Sequence, residues 1–360
     1  MSRGDGAKAE RPGWQAVPSG GFSLEQLAAT LASQSLPAPV TPTALAGIMD
    51  VLCRAGLDRL PLPGAGQTLL RWQALARVAA FDLSLCKLYE GHTDALAIIQ
   101  EWAAEAPPTG STWGMWAAEP PQAKVTLNAQ QADGSVRLQG RKAWCSGAAV
   151  VSHALLTAWN PAGEQQLVAV ALDQPGVQVT TQGWQAVGMA ATQSVEVLFD
   201  GAHGQRLGPP GGYLARPGFW HGGGGIAACW YGSAQAIGEA LRQHCGRRED
   251  SHAQAHLGAV DCALQSAASL LRATAQWIDQ QPEGDAQLPV RRVRAQCEAS
   301  AEQVIRHVGR ALGALPYCRE AYLARHLTDL PVYLRQSHAE RDLAALGALT
   351  TQERQGSWML

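Results

Sequence analysis

The chain has 360 residues, a formal net charge of -2 and only 16% charged residues, so it lacks the basic footprint of a nucleic-acid binder. Its 46% hydrophobic content is enough for a sizeable core and two or three domains. No run of eighteen apolar residues occurs, which excludes a helical membrane span at sequence level.

Residues 1–21 hold basic side chains but no apolar h-region, and read as a flexible lead-in rather than a secretory signal. Ser23-Leu24-Glu25-Gln26 has the form of a capping box and opens a helix towards Ser33. Thr41-Pro42 starts a second, ending near Ala55 before Gly56. Thr68 to Gly91 carries a helical stripe of Leu69, Trp72, Leu75, Val78, Ala79 and Leu83, and His92 then sits in a junction leading to a last helix through Trp102. Pro107-Pro108 closes this helical block.

The pattern then changes to period two. Val125/Leu127 and Val136/Leu138 alternate around an Asp133-Gly134 turn signal, and Leu167–Leu172 and Ser194–Phe199 read as further strands of an antiparallel sheet. Beyond Asp200, a Gly/Pro loop leads to Gly222-Gly223-Gly224-Gly225, whose spacing fits no phosphate-binding motif and suggests close backbone approach to a flavin or ligand. Long amphipathic helices follow to Cys245, over Leu257–Trp277, over Val290–Leu312 and over Arg319–Gly347. The eight cysteines are scattered without a C-x-x-C pair, which points to buried thiols in a reducing, cytoplasmic compartment and to no zinc site. Cys145, a period-two neighbour of the residues flanking it, is expected to face away from Trp144.

The motifs Trp113-Gly114-Met115-Trp116-Ala117-Ala118-Glu119-Pro120 and Gly140-Arg141-Lys142-Ala143-Trp144-Cys145-Ser146-Gly147 resemble the middle domain of acyl-CoA dehydrogenase family flavoproteins. The resemblance covers roughly residues 22–347 and implies an α+β fold: an N-terminal helical domain (22–108), a middle antiparallel β domain (109–212) and a C-terminal four-helix bundle (213–360). It implies FAD as cofactor, with Met115, Ala117, Ala118 and Trp144 along the flavin ring, the Ser146 hydroxyl at its N5 and Arg247 on the pyrophosphate of a neighbouring subunit. A homodimer or homotetramer acting on a small substrate of the acyl-thioester kind follows from the same resemblance, with no nucleic acid or membrane partner.

The resemblance breaks at the chemistry. The two positions where family members carry the catalytic Glu fall on Ser337 and Gly222, and the residues that grip the adenosine diphosphate are replaced by Arg306-His307-Val308-Gly309-Arg310. The catalytic residue is therefore unassigned, with His92, His221 and His338 as candidates. Three readings stay open: a flavin oxidoreductase taking hydride from an acyl-thioester-like substrate with a non-standard base, a flavin-dependent monooxygenase of the same fold, and an inactive scaffold homologue.

Overall fold

The computed structural model describes residues 21–103, 105–128, 133–353 and 357–359. The lead-in expected over 1–21 falls almost entirely outside them. The chain begins with four helices: α1 (Leu24–Ala32), α2 (Pro42–Arg54), α3 (Thr68–Phe81) and α4 (Leu83–Trp102). Ser23 and Thr41 cap the first two, each accepting a backbone N–H three residues on. The helix expected over Thr68–Gly91 is broken instead at Asp82. This residue is extended, and its carboxylate accepts the Leu85 N–H at 2.8 Å, so α4 starts there and runs straight through His92. His92 thus lies inside a helix and not at a junction.

Seven strands follow: β1 (Trp113–Trp116), β2 (Val125–Leu127), β3 (Ser135–Cys145), β4 (His153–Trp159), β5 (Gln165–Ala171), β6 (Val177–Val179) and β7 (Val195–Leu207). Strands β2, β3, β7, β5 and β4 pair in a ring, with β1 added to β4 and β6 to β7. Closing the sheet removes its free edges. The β2–β3 hairpin pairs Leu127 with Leu138, with part of its turn outside the described residues. The sheet is mixed and not purely antiparallel, because β1 runs parallel to β4. Strand β4 escapes period-two reading for a physical reason: Ala154, Leu155, Leu156, Thr157 and Ala158 are all buried, so neither face is polar.

The last block holds α5 (Gly212–Ala215), α6 (Pro217–Arg247), α7 (Ser251–Gln280), α8 (Gln287–Leu312), α9 (Leu315–Arg319), α10 (Ala321–Leu334) and α11 (Glu340–Thr350). The helix expected over Arg319–Gly347 is in fact two, α10 and α11, separated by a turn at Ser337. Among the described residues, no helix is long and apolar enough to cross a membrane. The N-terminal and C-terminal helices share one core, in which Trp72, Leu75 and Val78 of α3 meet Trp230 and Ile237 of α6 and Leu330 of α10. A second core fills the barrel, and a third lines the seam between α4 and the sheet, built from Ala95, Ile98 and Ile99 with Trp113, Leu155 and Leu207.

The glycine run belongs to this packing. All four glycines lie inside α6, where a Cβ on Gly224 would sit 2.4 Å from the Trp72 ring and one on Gly232 would sit 2.2 Å from the Ala76 carbonyl oxygen. Gly224 and Gly225 face Trp72 and Leu75 of α3, Gly222 faces Asp94 of α4 and Gly223 faces Val290 of α8. Gly232→Ala must push two packed helices apart and is expected to cost about 3 kcal/mol. Gly258→Ala in α7, where no atom lies within 4 Å of the new methyl, should gain up to about 1 kcal/mol of helix propensity. Urea unfolding of both variants checks this; a neutral Gly232→Ala would contradict the packing.

Candidate active site

The second motif forms an irregular end to β3. The register of β3 against β7 slips between Lys142 and Cys145, a bulge that turns Trp144 out of the ladder. Trp144 takes a left-handed conformation (φ 55) and is 51% exposed, while Cys145 is buried on the other side as expected. A bulky residue held at positive φ is strained by roughly 1–3 kcal/mol and persists where the surroundings demand it. Upstream, Gly140 has φ 123, and a Cβ there would lie 2.2 Å from the Lys124 carbonyl oxygen, so only glycine lets the β2–β3 hairpin close.

Lys142 and Glu119, one from each motif, hold the motifs together. The Lys142 ammonium is 1% exposed and donates to the Thr157 carbonyl and hydroxyl oxygens, both at 2.8 Å, and to Glu119 Oε1 at 3.4 Å. Glu119 also accepts from Thr157 Oγ1 at 2.5 Å and Trp159 Nε1 at 2.8 Å. Burial pushes the Lys142 ammonium below its usual range, partly offset by Glu119. These charges are consumed inside the barrel wall.

Ser146 lies at the end of a hydroxyl chain. Its Oγ is 2.8 Å from Ser194 Oγ, which is 2.9 Å from Thr192 Oγ1, which donates to the Met189 carbonyl at 2.8 Å. A carbonyl can only accept, so each hydroxyl hands its proton inward and Ser146 is left presenting lone pairs outward. The Trp116 indole N–H fixes the Ser146 carbonyl at 3.1 Å.

Between this turn, β1 and α4 lies a narrow cleft with room for about one water molecule, lined by Lys87, Leu88 and Gly91 of α4, by Trp113–Trp116 and by Ser146 and Val151. Met115 faces it half-buried, and Ala117 and Ala118 continue the partly exposed strip beyond β1. The helix approaches closely: a Cβ on Gly91 would sit 3.5 Å from the Met115 backbone nitrogen. The half-exposed Trp144 ring, this apolar strip and the outward lone pairs of Ser146 suit a flat, apolar ring system with one polar edge. Arg247 stands apart from them. It is an exposed residue at the end of α6, in a separate groove with His244, Arg248, Leu312, Pro316 and Glu320.

None of the candidate histidines lines the cleft. His92 is 1% exposed; its Nδ1 accepts the Trp113 backbone N–H at 3.1 Å and its Nε2 lies 3.2 Å from Asp58 Oδ2 and 3.6 Å from Cys53 Sγ. Because Nδ1 accepts, Nε2 carries the proton and donates to Asp58, while burial and Asp58 push the Cys53 thiol to about 12. Cys53, Asp58 and His92 have the spacing of metal ligands, but these protons make them a hydrogen-bonded joint. His221 is buried beneath Gly64 and Pro282, and His338 is exposed beside Asp342. Ser337 is spent on a turn, accepting the Ala339 N–H at 3.0 Å. A Cβ on Gly222 would lie 3.2 Å from Asp94 Oδ1, so a carboxylate from α4 faces the position left empty on α6.

The charged residues nearest the cleft are ones that sequence reasoning passed over. Lys87 and Glu90 pair at 2.7 Å with side chains only 14% and 12% exposed. An i,i+3 pair of opposite charge reads as a solvated helix face; tertiary packing alone buries it.

Two buried histidines set the acid limit. Burial, with arginine neighbours, holds His326 and His221 down to about 4. Their unfolded values lie near 6.5, so the stability they confer is complete above that pH and is lost as pH falls towards 4, about 3 kcal/mol for His326 alone. Asp329, pushed up to about 6 by burial, works in the opposite sense below pH 6. The urea midpoint should fall between pH 7 and pH 4.5, and by clearly less in His326→Gln. An equal fall in both would contradict the assignment.

No family model matches the chain. No curated protein matches it either. Solved structures do. TdsC from Paenibacillus sp. A11-2, a dibenzothiophene monooxygenase, aligns in its complex with FMN and indole with a TM-score of 0.74 at 20% identity over 92% of this chain and 95% of TdsC. KijD3, in complex with FMN and a dTDP-linked amino keto sugar, gives 0.74 at 19% over 92% and 93%. The methanesulfinate monooxygenase MsuC from Pseudomonas fluorescens gives 0.74 at 18% over 92% and 98%. At these identities the likeness establishes the fold, which is that of the acyl-CoA dehydrogenases.

Proposed function

We propose that this protein is a flavin-dependent monooxygenase acting on a small molecule. The observation that carries this reading is the pairing of a cleft lined by Met115 and Ser146, next to the bulged Trp144 turn, with glycine and serine at both positions where a dehydrogenase needs its carboxylate. Abstraction of an α-proton requires a base within hydrogen-bond reach, whereas oxygen insertion does not. Bound and reduced by an external donor, the flavin supplies the two electrons with which one oxygen atom enters the substrate and the other leaves as water.

The protein's own residues bind, orient and exclude water. Trp144, Met115, Ala117 and Ala118 would cover the apolar ring, and Ser146, with its lone pairs outward, would accept a hydrogen bond from a donor on the ring edge. That polarity suits a reduced flavin, whose N5 carries a proton. Leu88, Trp113 and Trp116 close the cleft from the far side and keep it dry. We infer FMN in place of FAD. The positions expected to grip the adenosine diphosphate hold Arg306, His307 and Arg310, and His307 Nδ1 is engaged by His256 Nδ1 at 2.9 Å. FMN is also the flavin in the TdsC and KijD3 complexes. The exposure of Trp144 in a single chain favours a homodimer or homotetramer whose second copy covers the ring.

Titration with FMN, followed by quenching of flavin fluorescence, tests the wall. Trp144→Ala should weaken binding about tenfold, the loss of one aromatic platform. An unchanged dissociation constant would remove Trp144 from the site.

A further inference from the structure

The turn that carries Ser146 is held from behind by one loop, and that loop is tied to α10 by a buried carboxylate. The segment 188–194 reaches the turn twice. Ser194 Oγ meets Ser146 Oγ at 2.8 Å, and the Thr192 carbonyl accepts the Gly147 N–H at 2.8 Å. Met189 lies at the root of this segment in a left-handed conformation (φ 56), which a non-glycine residue adopts only under constraint. Its carbonyl oxygen accepts Thr192 Oγ1 at 2.8 Å, the Thr192 N–H at 3.1 Å and the Trp184 indole N–H at 3.2 Å. The direction of that carbonyl therefore sets the direction of the whole hydroxyl chain.

The constraint on Met189 is Asp329 of α10. Its Oδ1 accepts the Met189 N–H at 2.6 Å and its Oδ2 accepts Ser84 Oγ at 3.2 Å. The side chain is buried, and among the described residues it has no ion-pair partner; Arg325, one turn before it, pairs with Asp82 instead, at 3.0 Å. Burial pushes the Asp329 carboxyl up to about 6, against the two hydrogen bonds, so it is ionised at neutral pH. An ionised acceptor makes a stronger hydrogen bond than a neutral one, which suits a carboxylate to holding a strained backbone. Beside it, a Cβ on Gly188 would lie 2.1 Å from the Thr328 carbonyl oxygen, so the loop and α10 pack backbone against backbone. We propose that Asp329 is a positioning residue of the flavin site: by fixing Met189 it directs the hydroxyl chain so that Ser146 presents lone pairs, and it thereby makes the site prefer reduced FMN, which carries a proton at N5, over oxidised FMN, which does not. The inference rests on the flavin reading proposed above.

Dissociation constants of the full chain for oxidised FMN, by fluorescence quenching, and for reduced FMN, by anaerobic calorimetry, test this. The wild type should bind the reduced form about tenfold more tightly, the worth of one hydrogen bond made in one state only. Asp329→Ala should bring the two constants together, whereas Asp329→Asn, whose side-chain oxygen still accepts the Met189 N–H, should keep them apart. Ser146→Ala should lose the preference by itself, and adding Asp329→Ala to it should change the ratio no further. Ile237→Val, in the helical core, lowers stability away from the chain and should leave the ratio as in the wild type. An Asp329→Ala chain with a lowered urea midpoint but an unchanged ratio shows a merely structural residue and overturns the proposal. If Asp329→Ala fails to fold, Thr192→Val decides, because it breaks the chain between Met189 and Ser194: an unchanged ratio leaves Asp329 nothing to act through and overturns the proposal. So does a wild type that binds both forms of FMN equally. A wild type that binds neither form removes the flavin reading itself, and the inference with it.

Discussion

The hydrogen bond from the Trp113 backbone N–H to His92 Nδ1, with Asp58 behind the ring, fixes where α4 lies against β1, and the candidate site is the space left between those two elements. An imidazole suits the task because it accepts on one side and donates on the other, so it can join a strand to a carboxylate from a distant loop in one buried step. Everything at the site is measured from this joint. Gly91, the preceding residue, packs so close to β1 that an added Cβ would touch the Met115 nitrogen, and Lys87, one turn earlier, lines the cleft. The seam core of Ile98, Ile99, Leu155 and Leu207 continues the same contact away from the cleft.

The opposite wall is held as firmly. Lys142 and Glu119 pin the two motif strands from inside the barrel, and the Trp116 indole ties β1 to the Ser146 carbonyl. With both walls fixed, the strained Trp144 turn is the element free to present a large aromatic surface outward. The backbone strain there is affordable because the bulge, the hairpin approach at Gly140 and the Lys142 anchor all determine it. The chemistry of the site then follows from what faces the gap: an acceptor at Ser146 and apolar side chains around it.

Much of the architecture was legible from periodicity and turns. The caps at Ser23 and Thr41, the Leu127/Leu138 hairpin and the long bundle helices all follow from local rules that tertiary packing did not override. The errors have specific causes. Asp82 is an N-cap that a continuous apolar stripe concealed, and a break at Ser337 hid within a charged run. The glycines of α6 do signal close approach, but a sequence cannot say what comes close, and here it is Trp72 and Ala76. Trp144 and Ser146 were proposed from the family resemblance of their motif, whereas Asp94 drew no notice, since it comes to face Gly222 only when α4 is laid against α6.

The proposed function requires oxygen insertion and not α,β-dehydrogenation. The most direct measurement is the flavin absorbance of the FMN-loaded protein under two treatments: anaerobic mixing with acyl-CoA thioesters, and chemical reduction followed by rapid mixing with oxygen. A monooxygenase should show no bleaching by any thioester, and on oxygen mixing a transient spectrum distinct from those of oxidised and reduced flavin. Bleaching by a thioester, with reoxidation that shows no such transient, would contradict it and pass the role of base to Asp94, the carboxylate that faces Gly222.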